Sequence, residues 1–242
     1  MIGLDLAHWA LAILVVFIGS AIQGVIGFGV GLFSAPLLFL IHPALVPTPL
    51  VIVGCVLPLL MWRANARAVV PRDLAYALPA GFVGVVAAYV LAGLVSDATW
   101  QWLFGLTIML AVLASVMRLD IHPTPTAIVI ASLFSGCMGT ISGVGGPPLG
   151  VAFQHADPAR VRGTLSAIFV PFGVMALVAL YFLDRLGWTD VWLAASMLPA
   201  VLGGFWFARR YGACVPRQAY RVLVLGTAFV AGLYAVVRGL VA

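Results

Sequence analysis

The chain has 242 residues, of which 64 % are hydrophobic and 8 % are charged, and its mean hydropathy is +1.19. Because soluble globular domains carry about 25 % charged residues, this composition excludes a soluble globule and predicts a membrane protein. The net charge of +5 comes from arginine and aspartate alone. The arginines are scattered in short loops between apolar runs, which argues against nucleic acid as a partner.

Eight apolar stretches follow one another along the chain. They cover about residues 9–41, 46–62, 74–96, 98–117, 125–154, 164–183, 189–208 and 218–237. Six have the length of one helical span, and the first and fifth are longer. At 1.5 Å per residue, straight helices of that length would overshoot a hydrocarbon core of about 30 Å. We therefore predict an all-α polytopic membrane protein with a single transmembrane domain, 1–242, in which two elements are bent or broken.

Each long stretch contains a glycine-rich cluster, with the sequence GFGVG at 27–31 and GVGGPP at 143–148. Glycine and proline at this density would leave backbone groups unpaired in lipid, unless the segment is enclosed by protein or lines a cavity. Paired interruptions at matching places in two halves indicate a transporter's binding site. The clusters therefore predict two repeats, residues 1–120 and 121–242.

Other features recur in the same order in both halves. The sequence LPA occurs at 78–80 and again at 198–200, and Thr48 corresponds to Thr164. The threonine hydroxyls could face the glycine clusters or cap helices. Close helix packing, without a ligand, is favoured for five other glycines: Gly19, Gly81, Gly84, Gly203 and Gly204.

The twelve arginines distinguish two topologies. If both long stretches cross the membrane once, the arginines divide six against six. If each stretch is a re-entrant hairpin, only Arg185 and Arg238 lie opposite the other ten, and the positive-inside rule favours this arrangement. Each repeat then has a hairpin plus three spans, so the second repeat is inverted and both termini are extracytoplasmic. A broken crossing helix stays an alternative, because the arms 9–26 and 32–41 are unequal.

The clusters also predict an anion site. Glycine lets main-chain N–H groups approach a ligand, and the helix that begins after each cluster offers free N–H groups and the positive end of its dipole. Gln23 could bond the broken backbone or contact the ligand, and Arg162 could guide an anion or only set topology. No acid lies within a span, so we predict no proton relay. We also predict no catalytic group, metal ion or cofactor.

The chain resembles the TauE/SafE family of membrane permeases, also called the sulfite exporter family, over nearly its whole length. The resemblance rests on four motifs: GVIGFGVG at 24–31 with Pro-Leu at 36–37, SGVGGPPL at 142–149, Arg-Gly-Thr at 162–164, and the segment 199–204. The chain departs from the family pattern at Val30, Pro147 and Ala152. The resemblance implies transport of sulfite, sulfonates or related organosulfur anions across the cytoplasmic membrane.

Together, the residues and the resemblance predict a secondary transporter that works by alternating access at a midplane site. Its partners would be the lipid bilayer and a small anion, with the coupling ion and a homodimer left open. The predicted binding residues are Gln23, Gly27, Gly29, Gly31, Pro36, Thr48, Ser142, Gly143, Gly145, Gly146, Pro147, Arg162 and Thr164. The alternatives are an anion channel with the same site and a non-transporting membrane scaffold.

Overall fold

The computed structural model describes residues 5–116 and 120–212 together with Gly226, and the regular structure within them is helical. The α-helices are α1 Leu6–Ile26, α2 Val30–Ile41, α3 Thr48–Ala64, α4 Pro71–Leu94, α5 Asp97–Val116, α6 Pro125–Ser142, α7 Gly146–Ala152, α8 Pro158–Phe182 and α9 Trp188–Tyr211. Two short 3₁₀ helices, Pro43–Leu45 and Ala66–Ala68, flank α3. The all-α prediction is confirmed for this part of the chain.

Seven of the described segments are long and apolar enough to cross a membrane. They are Leu6–Ile26, Pro43–Ala64, Pro71–Leu94, Thr99–Val116, Pro125–Ser142, Pro158–Phe182 and Trp188–Tyr211. α2 and α7 are shorter and follow the two glycine clusters. The last predicted span, 218–237, lies outside the described residues except for Gly226.

The first long stretch folds back on itself at its glycine cluster. Gly27 ends α1 with a φ of 105°, and Gly29 precedes α2 with a φ of 129°, values that glycine adopts far more readily than other residues. The hydroxyl of Ser34 in α2 donates to the carbonyl of Val15 in α1 at 3.3 Å. Since these residues would lie far apart in a continuing helix, α2 returns antiparallel to α1.

The second long stretch folds back in the same way. Gly143 ends α6 with a φ of 74°, and the seven-residue α7 follows. The Ser135 hydroxyl in α6 donates to the carbonyl of Gly145 at 2.5 Å, so the start of α7 lies beside the last turns of α6. Gly27 and Gly143 therefore end their helices by equivalent left-handed turns.

The two arms of the first hairpin differ in length. α1 runs parallel to α9: a Cβ added at Gly204 would meet the carbonyl oxygen of Phe17, and one at Gly212 would meet the Val25 side chain. α1 is therefore a full-length helix, and α2 is a short return. The hairpin predicted from the sequence is therefore present with the unequal arms that the sequence indicated, and α1 and α2 do not form one crossing helix.

The return nevertheless brings the chain back to the end of the bundle where α1 began. Thr48, the first residue of α3, donates its hydroxyl to the carbonyl of Arg185 at 2.6 Å. Arg185 lies just before α9, which starts at the same end as α1. The first hairpin thus makes no net crossing of the bundle.

Helices of the two halves pack against each other in exchanged pairs. Within the described residues the most extensive contacts join α4 with α6, α1 with α9, and α3 with α8. The first two pairs are equivalent when α1 is matched with α6 and α4 with α9. An added Cβ at Gly84 would meet the Leu133 carbonyl oxygen, as one at Gly204 would meet that of Phe17. Close helix packing is therefore confirmed for these two glycines.

The described arginines concentrate at one end of the bundle. The starts of α4 and α8 meet there, because the Arg160 guanidinium bonds the Asp73 carboxylate at 2.8–3.0 Å. The other arginines at this end are Arg63, Arg67, Arg72, Arg162, Arg209 and Arg210. Arg185 lies at the opposite end, over the ring of Trp100 at 4.8 Å.

Candidate functional site

A cavity of about 80 Å³ lies between the two glycine clusters, the first three turns of α3 and the middle of α8. One water needs about 10–15 Å³ of such space, so the cavity can hold a small ion or several waters. The first hairpin lines it with Gln23, Gly29, Val30, Gly31 and Leu32, and α3 with Leu50, Val51, Gly54 and Pro58. The second hairpin contributes Ser135, Gly136, Gly139, Thr140, Gly143, Gly145 and Gly146, and α8 contributes Phe169, Phe172, Gly173 and Ala176.

Gln23 spans the break between α1 and α2. Its side-chain carbonyl accepts the N–H of Val30 at 3.1 Å, and its backbone carbonyl accepts the N–H of Gly27 at 2.7 Å. The residue is 4 % exposed and lines the cavity. Because Oε1 is occupied, Nε2 is the part of this buried amide that remains available to a ligand, as a donor of two hydrogen bonds.

The first turn of α2 adds main-chain donors. Gly31 and Leu32 line the cavity, and their N–H groups have no acceptor within the described residues. The first N–H groups of a helix have no intrahelical partner, and the helix dipole is positive there. No lining residue in the described part of the chain is charged. The site therefore presents N–H dipoles without a fixed charge.

The second cluster offers fewer donors than its glycine content suggests. Pro147 and Pro148 lie in the first turn of α7 and have no N–H. The hydroxyl protons of Ser135 and Thr140 are donated to the carbonyls of Gly145 and Gly136. The N–H groups of Gly145 and Gly146, which also line the cavity, have no acceptor within the described residues, so both clusters present main-chain donors to the site.

The two clusters are in direct contact. A Cβ added at Gly31 would overlap the carbonyl oxygen of Gly143, and the Phe28 ring packs where side chains at Gly146 and Gly150 would lie. These glycines are required by close packing between the hairpins as well as by the cavity. Displacement of one hairpin must therefore disturb the other.

Six of the thirteen predicted binding residues line the cavity: Gln23, Gly29, Gly31, Gly143, Gly145 and Gly146. The other seven do not: Gly27, Pro36, Thr48, Ser142, Pro147, Arg162 and Thr164. Gly27 instead lies against α8, where an added Cβ would be 3.5 Å from the Cα of Arg162. The hydroxyl of Ser142 donates to the carbonyl of Met138 at 2.8 Å.

Thr48 and Thr164 hold loops. The Thr48 hydroxyl bonds the carbonyl of Arg185, and the Thr164 hydroxyl accepts the N–H of Val70 at 3.2 Å. Each threonine thus binds the loop that precedes a long helix of the other half. Both residues are at most 3 % exposed, and neither lines the cavity.

The residues of α3 and α8 that line the cavity were not identified from the sequence. Leu50, Val51, Phe169 and Phe172 are apolar residues in apolar spans, and nothing in their chemistry marks a ligand site. Gly54 was the available signal, although a glycine inside a span more often serves close helix packing. A Cβ added there meets nothing within 4 Å, so this glycine borders open space.

Apolar helices of spanning length, around a cavity whose main-chain donors have no acceptor within the described residues, are features of a polytopic membrane protein. The chain belongs to the TauE/SafE family, because the family model described as sulfite exporter TauE/SafE matches residues 11–235. This match confirms the resemblance carried by the glycine motifs, and it places the chain among transporters rather than enzymes. Comparisons with curated proteins and with solved structures gave no significant match.

Proposed function

We propose that the protein is a secondary transporter that carries sulfite or a similarly small sulfur oxyanion through the cavity between its two hairpins. The observation that supports this most directly is the buried Gln23 amide beside the free N–H groups of Gly31 and Leu32. Helix N-termini bind oxyanions through such N–H groups. Several N–H donors around one small cavity suit the three oxygens of sulfite.

The lack of a lining cation within the described residues agrees with transport rather than storage. A hydrogen bond to a charged group contributes about 1.5–3 kcal/mol, so a few N–H donors can bind an anion without a buried arginine. The cavity of about 80 Å³ favours a compact oxyanion over sulfonates with longer carbon chains.

We further propose that the halves are inverted repeats that alternate access to this site. A hairpin without net crossing, followed by the three spans α3, α4 and α5, gives an odd number of crossings, so the second half starts from the opposite face. The exchanged pairs α1–α9 and α4–α6 support the two-fold relation. The cavity lies near mid-length of the apolar segment Pro43–Ala64 and of α8, which supports a midplane site in an inverted-repeat transporter.

The arginine-rich end is proposed to face the cytoplasm, according to the positive-inside rule. This orientation can be tested with single cysteines in a background without Cys55, Cys137 and Cys214. An impermeant thiol reagent applied from outside should label a cysteine at Gly187 and not one at Ala66 or His155. Labelling of positions 66 and 155 from opposite faces would reject the paired hairpins.

Transport itself can be tested in proteoliposomes with the purified chain. We expect saturable flux of sulfite that is accelerated by sulfite on the opposite side, with weaker flux of sulfate, thiosulfate and short sulfonates. Flux that does not saturate and shows no acceleration would support an anion channel. The absence of flux for every anion in the panel would support a non-transporting scaffold and reject the proposal.

A further inference from the structure

Three metal-ligating side chains meet at the open end of the second hairpin, where its two arms enter and leave, and none of them lines the cavity. They are Asp120, His122 and His155, all exposed. His122 lies shortly before α6 begins at Pro125, and His155 lies shortly after α7 ends at Ala152. The cluster therefore joins the segment that connects the two repeats to the loop between α7 and α8.

The geometry of the cluster is compact. Nε2 of His155 lies 2.8 Å from Oδ1 of Asp120, and the rings of His122 and His155 stack with centroids 4.7 Å apart. One potential ligand atom from each residue lies within 4.8 Å of the others. The Gln154 side chain also donates to the carbonyl of Ile121 at 3.4 Å, so the two loops are held together independently of these three residues.

Two imidazoles and one carboxylate form a donor set that suits Zn²⁺. With metal–ligand bonds of about 2.0–2.2 Å, tetrahedral coordination needs ligand atoms about 3.3 Å apart. The observed separations, from 2.8 Å up to 4.8 Å, lie on both sides of this value. Small side-chain rotations would therefore be sufficient, and exposure lets an ion enter and a water complete its coordination.

The first hairpin contains the same residue types without the same convergence. Asp5 pairs with His8 at the start of α1, and His42, after the end of α2, accepts the N–H of Ala44 through Nδ1 at 3.2 Å. Within the described residues only the second hairpin gathers three such side chains. The Asp5–His8 pair is thus a natural internal control with two ligands instead of three.

We propose that Asp120, His122 and His155 bind one Zn²⁺ or a similar divalent transition-metal ion, which ties the connection between the repeats to the base of the second hairpin. The site is independent of the anion cavity and of the proposed transport. It adds a cross-link between two loops whose described residues are joined by hydrogen bonds and ring stacking. The bound state should accordingly be more stable than the free state.

Isothermal titration of the purified full-length chain with zinc chloride, after removal of any affinity tag and treatment with a chelator, tests the site. We expect one Zn²⁺ per chain, with Mg²⁺ failing to compete because it prefers oxygen ligands. His122→Gln and His155→Gln should each weaken binding by at least about tenfold, since loss of even an outer-shell partner costs about 10–100-fold. His8→Gln should bind as the wild type does.

A thermal melt in detergent provides a second measurement. Zn²⁺ should raise the melting temperature of the wild type and of His8→Gln, and it should not raise that of His155→Gln. Equal zinc affinity in the wild type and His155→Gln would overturn the proposal, as would a wild type that binds no zinc. The three residues would then form a hydrogen-bonded and stacked surface cluster only.

Discussion

The side-chain carbonyl of Gln23 accepts the N–H of Val30 at 3.1 Å, across the break between α1 and α2. The same amide therefore holds the turn with its oxygen and offers its nitrogen to the cavity. The sequence left open whether Gln23 bonds the backbone or a ligand. Because Oε1 bonds the backbone and Nε2 remains for a ligand, the residue can have both roles. A substitution that changes only the nitrogen end can separate them.

Gln23→Glu is that substitution. The carboxylate keeps an acceptor for the Val30 N–H at the positive end of α2, so the turn should persist. It replaces the Nε2 donors with an oxygen and adds negative charge beside the cavity. We expect sulfite flux to fall at least about tenfold, given about 1.5–3 kcal/mol for a hydrogen bond to a charged group. Initial rates in proteoliposomes measure this effect.

Ser34→Ala is the matched control for this variant. Ser34 is a buried polar residue of the same hairpin, bonds the carbonyl of Val15, and does not line the cavity. Its removal should leave the flux within about twofold, because a neutral hydrogen bond contributes about 0.5–1.5 kcal/mol to stability rather than to ligand binding. Flux at wild-type level in Gln23→Glu would remove this amide from the site.

Gly54→Leu should fill the cavity. Gly54 lies between Val51 and Pro58 on the face of α3 that lines the cavity, and an added Cβ there meets nothing within 4 Å. The Cβ therefore meets no neighbour, and the rest of the leucine side chain occupies space that the anion would use. We expect the chain to insert normally and to lose most of its sulfite flux.

Gly93→Leu controls for the substitution itself. An added Cβ at Gly93 also meets nothing within 4 Å, and the position lies near the exposed end of α4, outside the cavity. Both variants gain helix propensity. Equal flux in the two variants would show that anions do not pass the α3 face of this cavity.

Gly31→Ala should weaken the contact between the hairpins. Its Cβ would overlap the carbonyl oxygen of Gly143, and overpacking of this kind costs about 1–3 kcal/mol. We expect a lower melting temperature in detergent together with reduced flux. Gly139→Ala is the control, because its Cβ would lie 3.5 Å from the Cα of Gly145, which is an ordinary contact. A melting temperature unchanged in Gly31→Ala would contradict the direct contact of the clusters.

The Asp73–Arg160 pair should matter for stability. Asp73 is 4 % exposed and receives hydrogen bonds from two nitrogens of Arg160. Asp73→Ala leaves a guanidinium without its partner, which costs about 3–5 kcal/mol for a fully buried pair. The Arg160 side chain is 32 % exposed, so we expect a smaller loss than this. The double variant Asp73→Leu, Arg160→Met should melt at a higher temperature than Asp73→Ala, because it leaves no unpaired charge. A lower melting temperature of the double variant would reject the stabilising role of the ion pair.

Local chemistry explains what the sequence could predict. Gly27, Gly29 and Gly143 adopt positive φ values, and a helix with glycine and proline at this density must break near them. The breaks at 27–29 and 143–145 were therefore predictable. Span boundaries also followed from apolar length, with α3 at Thr48–Ala64 against an expected 46–62.

Tertiary contacts explain what the sequence could not predict. The Phe28 ring lodges beside Gly146 and Gly150, although nothing near Phe28 in the sequence indicates the second hairpin. Thr48 and Thr164 were recognised as equivalent positions, but their loop partners, Arg185 and Val70, depend on how α3 and α8 cross. Pairing of distant segments has no signature in a single sequence.

The donors that border the cavity belong mainly to peptide groups, at Gly31 and Leu32. Alanine scanning exchanges side chains and leaves peptide groups intact, so it would identify bulky and glycine positions while missing the atoms that hold the anion. Natural substitutions likewise exchange side chains and leave the peptide groups intact. Mutation can change the anion preference of such a pocket by altering its shape or by replacing Gln23. Its main-chain N–H donors stay in place when the surrounding side chains are substituted.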